Sequence, residues 1–204
     1  MSRAAASRGG SWAGAIAFVT GNPGKLAEAR RIWGSGGGGA AGPRLEAVEL
    51  ELAEIQSLDL LEVLRAKGEE AWRRLRRPLV VEETGFEIDA FGGFPGPLVK
   101  WMLQALGPEG MARAALAVAE REGRTGAAVA RCMTLLRDGE RELVGEGVER
   151  GTLVLPPRGD QGFGWDPVFL PEGESRTYGE LPAEGKDRIG HRGKAWRDLK
   201  RQLG

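Results

Sequence analysis

Ten polar side chains of this sequence could take part in chemistry, and their types indicate a phosphate substrate. They are four carboxylates, four lysines, one arginine and the single histidine: Glu54, Glu82, Glu83, Asp166, Lys25, Lys67, Lys100, Lys186, Arg192 and His191. Lysines suit the clamping of phosphates, and carboxylates without cysteine or several histidines suit Mg²⁺, which prefers oxygen ligands. A carboxylate can also orient or deprotonate an attacking water. Together these residue types predict hydrolysis at a nucleotide phosphate, with Mg²⁺ bridging phosphate oxygens.

Two stretches near the C-terminus are typical of a base-binding site. The first is Gly-Phe-Gly-Trp-Asp-Pro at 162–167, and the second is Gly-Lys-Asp-Arg-Ile-Gly-His-Arg at 185–192. Aromatic faces can stack on a flat base, and cations can donate hydrogen bonds to its carbonyl groups. Taken alone, the aromatic residues of the first stretch could equally well pack in the hydrophobic core or stack on a base. The cluster of cations beside the histidine favours a ligand site.

Several classes of protein are disfavoured. The sequence has no GxxxxGK[ST] motif, no GxGxxG after a strand and no GxSxG element, which argues against P-loop, dinucleotide-dependent and serine-hydrolase chemistry. Lys plus Arg and Asp plus Glu both total 29, whereas proteins that coat nucleic acid carry a basic excess. No apolar run is long enough to span a bilayer. The lone Cys132 excludes an intrachain disulfide and is typical of a small buried strand residue. We therefore expect neither nucleic acid nor membrane as a partner.

The first element that must position this chemistry is a strand, a turn and a helix. Residues 15–19 are apolar and predict a buried strand, and residues 23–33 predict a helix with Asn22 at its N-cap. A strand that enters a helix through a glycine-containing turn is a phosphate-binding arrangement, because free N–H groups and the helix dipole favour an anion. Lys25 opposes the dipole in the first turn, which is easier to understand if it meets a phosphate. The alternative is an ordinary turn with a solvated lysine.

The second such element is a buried strand at 78–81. Glu82 and Glu83 follow it, at the end where ligands gather in open α/β sheets. Adjacent strand residues point to opposite faces, so at most one of the two carboxylates faces a given site. Lys67 is predicted in the middle of a helix, where a surface lysine is the simpler interpretation.

The remaining pattern predicts an α/β fold, with a mixed twisted β-sheet flanked by helices and two lobes around a central cleft. Residues 1–14 are expected to form a disordered tail, residues 15–204 a single two-lobed domain, and residues 34–42 a flexible loop. Further strands are predicted at 45–52, 127–136, 142–155 and 168–170, and further helices at 57–76, 98–106, 111–122 and 193–203. Asp138-Gly139 predicts a hairpin turn.

These motifs together resemble the inosine triphosphate pyrophosphatase (Ham1-like) family. The similarity is carried by GFGWDPVF and TYGELPAEGKDRIGHRGKA, by FVTGN with Lys25, and by residues 54–59, 81–85 and 92–97 with Lys100-Trp101. They stand in the family's order and at its approximate spacing, from residue 16 to the C-terminus. The ordered set is specific, although each motif alone is weak.

The resemblance implies hydrolysis of ITP, dITP and XTP to the monophosphate and pyrophosphate, which cleanses the nucleotide pool. It also implies Mg²⁺ as cofactor, a homodimer and a cytoplasmic location. Glu83 and Lys67 would be catalytic, and Glu54 and Glu83 would bind the metal. The implied phosphate-binding residues are Thr20, Gly21, Asn22, Lys25, Lys67 and Lys100. The implied base-binding residues are Phe163, Gly164, Trp165, Asp166, Lys186, His191 and Arg192.

Two positions depart from the family pattern, and they leave alternatives open. The family usually carries Asp at position 83, where this chain has Glu, and Ser at position 190, where it has Gly. The first departure would fit a nucleotide-binding module that has lost turnover. The second removes a hydroxyl beside the base loop and bears on base selectivity. A pyrophosphatase for pyrimidine or modified nucleotides is a further alternative, against which the aromatic and cationic segments argue.

Overall fold

The computed structural model describes residues 15–34 and 44–203. The predicted tail and all but the first residue of the predicted flexible loop therefore lie outside the described residues. The strands are β1 (Ile16–Val19), β2 (Leu45–Val48), β3 (Leu79–Ile88), β4 (Pro95–Gly96), β5 (Ala127–Asp138), β6 (Arg141–Leu153) and β7 (Phe169–Pro171). The helices are α1 (Pro23–Gly34), α2 (Leu60–Leu75), α3 (Val99–Glu122), α4 (Ala183–Ile189) and α5 (His191–Leu203).

The strands form one mixed sheet in the order β2-β1-β3-β5-β6-β7, with β4 added to β3. β1 pairs in parallel with β2 and β3, whereas β3, β5, β6 and β7 pair antiparallel. The β5–β6 hairpin turns at the predicted Asp138-Gly139, where Gly139 adopts φ +62°. The mixed α/β sheet predicted from the sequence is confirmed.

Helices cover both faces of the sheet. On one face α1 and α5 pack together, and the fully buried Trp196 makes edge-to-face contacts with Phe18 and Trp33. On the other face α2 packs against β3 and β5, with Leu64 buried against the strands. Burying one such large apolar side chain contributes roughly 1.5–3 kcal/mol. These two layers fix the helix ends that carry the polar residues.

The prediction that β3 ends before Glu82 was wrong. The strand continues to Ile88, because its antiparallel partner β5 pairs with it over ten residues, from Leu79 to Ile88. Parallel pairing with β1 covers only the start of β3, where Phe18 lies opposite Val80. The two carboxylates thus lie inside one strand but beyond the end of its neighbour. Because β1 does not extend alongside Glu82 and Glu83, there is room for a cleft beside this part of β3.

Other boundaries shifted for local reasons. α2 begins at Leu60 instead of 57, because the Asp59 carboxylate caps it by accepting hydrogen bonds from the N–H groups of Leu61 (2.8 Å) and Glu62 (3.2 Å). The two helices predicted at 98–106 and 111–122 form one element, α3, which is interrupted at Gly107 with φ +66°. The predicted strand at 45–52 is shorter, and β7 starts one residue later than predicted. α4 was not predicted, and α5 begins two residues earlier than expected.

Cys132 lies in β5 and is fully buried, as predicted. Burial raises the pKa of its thiol well above the ordinary value, so it is a packing residue. Across residues 15–34 and 44–203, no helix has both the length and the apolar composition that crossing a membrane requires.

Candidate active site

A cavity of about 680 Å³ opens where β1 ends beside the middle of β3. The start of α1, the side of α2, the start of α3 and the aromatic loop after β6 form its walls. Most of the residues predicted for the site line it: Thr20, Gly21, Asn22, Lys25, Glu54, Lys67, Glu83, Lys100, Phe163, Gly164 and Trp165. The structure therefore brings together residues from six separate segments of the chain.

The turn between β1 and α1 is held by its own side chains. The Thr20 hydroxyl oxygen accepts a hydrogen bond from the N–H of Asn22 at 3.1 Å. The Asn22 side-chain oxygen accepts from the N–H groups of Gly24 (2.9 Å) and Lys25 (3.1 Å), as an N-cap does. This predicted cap fixes the direction of the first turn of α1, and Lys25 from that turn lines the cavity.

Lys67 joins the two carboxylates predicted to serve the metal and the water. Its ammonium lies 2.5 Å from the Glu83 carboxylate and 3.2 Å from that of Glu54. The side chains of Lys67 and Glu83 are 14% and 13% exposed, whereas Glu54 is 49% exposed at the mouth. The interpretation of Lys67 as a plain surface lysine is therefore wrong, because α2 turns it towards β3.

The charges of this cluster support one another. Burial lowers the pKa of Lys67, but Glu83 and Glu54 outweigh that effect and raise it, so Lys67 remains an ammonium. Burial raises the pKa of Glu54, but the charge of Lys67 outweighs it, and the net shift is downward. Lys100 stands at the start of α3 with its ammonium 5.4 Å from the ring of the exposed Trp101. The cluster thus presents fixed charges of both signs to the cavity.

Four of the predicted base-binding residues lie behind the cavity wall and not on it. Asp166, Lys186, His191 and Arg192 are each less than 8% exposed. The Lys186 ammonium lies 2.6 Å from Asp166 and 3.0 Å from Glu28, and the Arg192 guanidinium bonds both Glu28 and Glu82. Their charges are thus paired internally.

The surroundings shift the titration of these buried groups. Burial raises the pKa of Asp166 in spite of the Lys186 charge beside it. Burial also raises the pKa of Glu28, but the charges of Arg192 and Lys186 outweigh it and hold that pKa below its usual value. Burial and the neighbouring cations hold the pKa of His191 well below its usual value, so its ring is neutral. Neither ring nitrogen has a hydrogen-bond partner among the described residues.

The two aromatic residues of the loop differ in their roles. Trp165 is buried and stacks on Phe86 with ring centroids 4.8 Å apart, which makes it part of the core. Phe163 is half-buried, and its ring lies 5.0 Å from the Lys186 ammonium and 5.4 Å from the Arg192 guanidinium. Phe163 also lies against the start of α1, where a β-carbon on Gly24 would come within 2.7 Å of the ring. Phe163 therefore separates the cavity from the buried cations.

Sequence reasoning missed Glu28 and left Glu82 without a role. Glu28 was hidden in an ordinary helix, although it precedes Ile32 by one turn and so shares the face that α1 buries. Glu82 was counted among the polar residues, but its partners Arg192 and Trp196 lie more than 100 residues away. Only tertiary contacts reveal such partners.

The fold and the site together define the class of Ham1-like proteins. The sheet is mixed, a strand, a turn and a helix open onto the cavity, and a lysine–carboxylate cluster faces an aromatic loop that lies against buried cations. The family model described as Ham1 family matches residues 16–202, and the chain belongs to this family. A dITP/XTP pyrophosphatase of Methanopyrus kandleri is 36% identical over 88% of this chain and 91% of its own length. One from Ignicoccus hospitalis is 35% identical over 92% and 96%. A HAM1 protein from Coxiella burnetii has the same fold, with a TM-score of 0.76 at 23% identity over 93% of this chain and 98% of its own.

Proposed function

We propose that this protein hydrolyses non-canonical purine nucleoside triphosphates, namely dITP, ITP and XTP, to the monophosphate and pyrophosphate. The observation that carries the proposal is that one cavity joins a lysine–carboxylate cluster to an aromatic loop. Relatives at 35–36% identity over most of the chain are dITP/XTP pyrophosphatases, which supports the same substrate class. The product monophosphate can no longer be incorporated by a polymerase, so the reaction cleanses the nucleotide pool.

Glu83 is the candidate for activating the water. The anhydride bond between the α- and β-phosphates breaks, a water oxygen forms the new bond to phosphorus, and pyrophosphate leaves. A carboxylate within about 2.6–3.2 Å of that water can take its proton. Glu83 projects from the middle of β3 into the cavity and is held there by Lys67 at 2.5 Å. The ion pair positions the longer Glu side chain, which favours an active enzyme over a binding module.

The lysines stabilise the charge on the phosphates. Lys25, Lys67 and Lys100 reach the cavity from three different helices. Fixed cations in a partly closed site stabilise developing negative charge without reorganising, which is the main source of catalysis in phosphate chemistry. Because neighbouring carboxylates raise its pKa, Lys67 keeps its proton at neutral pH.

Mg²⁺ is part of the proposal. No group of three or more His, Cys, Asp or Glu side chains in the described part of the chain could hold a metal ion alone. Mg²⁺ is often bound by one or two carboxylates together with substrate phosphates. Glu54 and Glu83, both within reach of Lys67, fit that pattern. When bound, the ion would polarise phosphate oxygens and offset their charge.

We assign base selectivity to Lys186 and Arg192, which lie behind Phe163 and which a base reaches only when that ring moves aside. Hydrogen-bond donors aimed at a 6-keto group accept hypoxanthine or xanthine, whereas the 6-amino group of adenine sets donor against donor. An unpaired buried donor costs about 1–3 kcal/mol. The Lys186 and Arg192 side chains carry only donors. We also propose, from the family resemblance, a homodimer in the cytoplasm.

A panel of triphosphates tests the function. Pyrophosphate and orthophosphate release are measured with dITP, ITP, XTP, dATP and dUTP, with Mg²⁺ and with EDTA. We expect pyrophosphate from the first three, far slower turnover of dATP, and loss of activity in EDTA. Orthophosphate as the first product, or full activity in EDTA, contradicts the proposal. Tight dITP binding without turnover favours the binding module, and preferred hydrolysis of dUTP favours a pyrophosphatase for other nucleotides.

A further inference from the structure

Glu82 points away from Glu83, and both of its oxygens are engaged. Oε1 accepts a hydrogen bond from the Arg192 guanidinium at 2.9 Å and lies 3.6 Å from the Lys25 ammonium. Oε2 accepts a hydrogen bond from the Trp196 indole N–H at 2.8 Å. The Glu82 side chain is only 1% exposed. A carboxylate so fully occupied is not a free base, and its role must lie in what it holds together.

Glu82 is one member of a row of alternating charges that crosses the site. The row starts at the N–H of Phe163, which donates to the Asp166 carboxylate at 2.7 Å. It continues through ion pairs whose members alternate in sign: Asp166, Lys186, Glu28, Arg192, Glu82 and Lys25. The row begins at Phe163, in the loop predicted to bind the base, and ends at Lys25, which is predicted to bind phosphate. Glu82 is the member that joins the two halves.

Burial makes this row stiff. From Asp166 to Glu82, every side chain is at most 8% exposed, and Lys25 is 16% exposed where it meets the cavity. Charges in such surroundings interact strongly and are costly to leave unpaired. Arg192 and Lys25 share the same oxygen of Glu82, so a shift of Arg192 towards a base would change the strength of the Glu82–Lys25 ion pair. The reverse holds when Lys25 moves towards a phosphate.

We propose that Glu82 is a positioning residue that couples base recognition at Arg192 to phosphate binding at Lys25. This inference rests on the proposed function, since it assumes that a base and a phosphate occupy the two ends. Glu82 touches neither the water nor the metal in this scheme. It sets the place of Lys25 according to how Arg192 is engaged. A correct base thus improves phosphate binding, and an incorrect one leaves Lys25 less well placed.

The test compares Glu82→Gln with a matched control, Glu87→Gln. Glu87 lies on the same strand and also pairs with an arginine, Arg131 at 3.0 Å, but it lies outside the 680 Å³ cavity. The values of kcat and KM are measured for dITP and dATP in the wild type and in both variants. Circular dichroism and Tm report whether each variant is folded.

For Glu82→Gln we expect KM for dITP to rise about tenfold, the size of losing one charge-assisted hydrogen bond, while kcat falls less than about threefold. The ratio of kcat/KM for dITP to kcat/KM for dATP should fall about tenfold, because neither Arg192 nor Lys25 is then held in place by a carboxylate at position 82. Glu87→Gln should keep the wild-type ratio. If Glu82→Gln slows both substrates equally and leaves the ratio unchanged, Glu82 is only structural and the inference is overturned.

A second variant covers the case in which Glu82→Gln does not fold. Glu82→Asp keeps the charge but is one methylene shorter, so it cannot hold Arg192, Trp196 and Lys25 together. We expect it to fold and still to lower the dITP/dATP ratio by at least about threefold. An unchanged ratio in a folded Glu82→Asp overturns the coupling. A wild type that releases no pyrophosphate from dITP overturns the proposed function itself, and that result is read before either variant.

Discussion

The two ends of the proposed site hold charges in opposite ways. At the proposed phosphate end, Lys67 and Glu83 face the cavity and Glu54 is half exposed, so a ligand can reach their charges directly. At the proposed base end, behind Phe163, Lys186 and Arg192 are buried and already paired with Glu28 inside the protein. Both ends contain lysine and carboxylate, yet only the first presents them to the cavity.

This difference assigns different tasks to similar residues. In the proposed function, the fixed charges that face the cavity attract the triphosphate and stabilise it during bond breakage, so the phosphate end would supply affinity and rate. Buried, neutralised pairs offer little net attraction, but each is costly to disturb. They suit discrimination, since a wrong base leaves a buried group unpaired. Altering one end should therefore change rate, whereas altering the other should change selectivity or stability.

The largest effect is expected from Glu83→Gln at the phosphate end. Gln cannot accept the proton of the water, and we expect kcat with dITP under saturating Mg²⁺ to fall at least about a hundredfold. Binding of the nucleotide and the fold should persist, as checked by calorimetry and circular dichroism. Glu83→Asp should remain active without gain, because its shorter reach no longer fits this backbone. Near-full activity of Glu83→Gln would exclude Glu83 as the activating carboxylate.

Gly190→Ser tests the base end by restoring the residue usual in the family. A β-carbon at this position would lie 2.6 Å from the carbonyl oxygen of Lys186, so the junction of α4 and α5 must shift. We expect the free energy of unfolding in urea to drop by about 2 kcal/mol, as for an overpacked core. Selectivity between dITP and dATP should not improve. A stable, more selective Gly190→Ser would show that this junction accommodates a side chain.

Phe163→Ala tests the ring that lies between the cavity and the buried cations. The substitution removes the ring that covers Lys186 and Arg192 and could stack on a base. Since stacking on an aromatic ring contributes about 1–3 kcal/mol, KM for dITP should rise about tenfold with little change in kcat. Steady-state kinetics with dITP and dATP measure this effect. If kcat fell about tenfold and KM did not change, the ring would instead lie near the reacting phosphate.

The smallest effect concerns pH and His191. The folded protein keeps this ring neutral, because burial and neighbouring cations lower its pKa well below 6.5. As pH falls through 6.5, the unfolded chain binds a proton that the folded state does not, so stability decreases. We expect a loss of about 1 kcal/mol between pH 7.5 and 5.5, which His191→Phe should abolish. Urea unfolding at several pH values measures it, and an equal slope in the variant would assign the loss to other groups.

The sequence by itself determined the features that depend on near neighbours. The strand–turn–helix with Asn22 as cap follows from residues 16–25, since an N-cap bonds groups two or three positions away. The opposite directions of Glu82 and Glu83 follow from the two-residue period of a strand. The hairpin at Asp138-Gly139 follows from the turn itself. Family membership also follows from the ordered motifs, whose residues 16–202 the family model matches.

Only the tertiary structure decided where the charges meet. β3 continues past Glu83 because β5, some fifty residues later, supplies hydrogen-bond partners along its whole length. Lys67 faces Glu83 because α2 packs on that strand, and Lys186 lies on Glu28 although 158 residues separate them. Such pairs cannot be predicted from local patterns, because the strength of a charge interaction depends on burial and distance, and packing sets both.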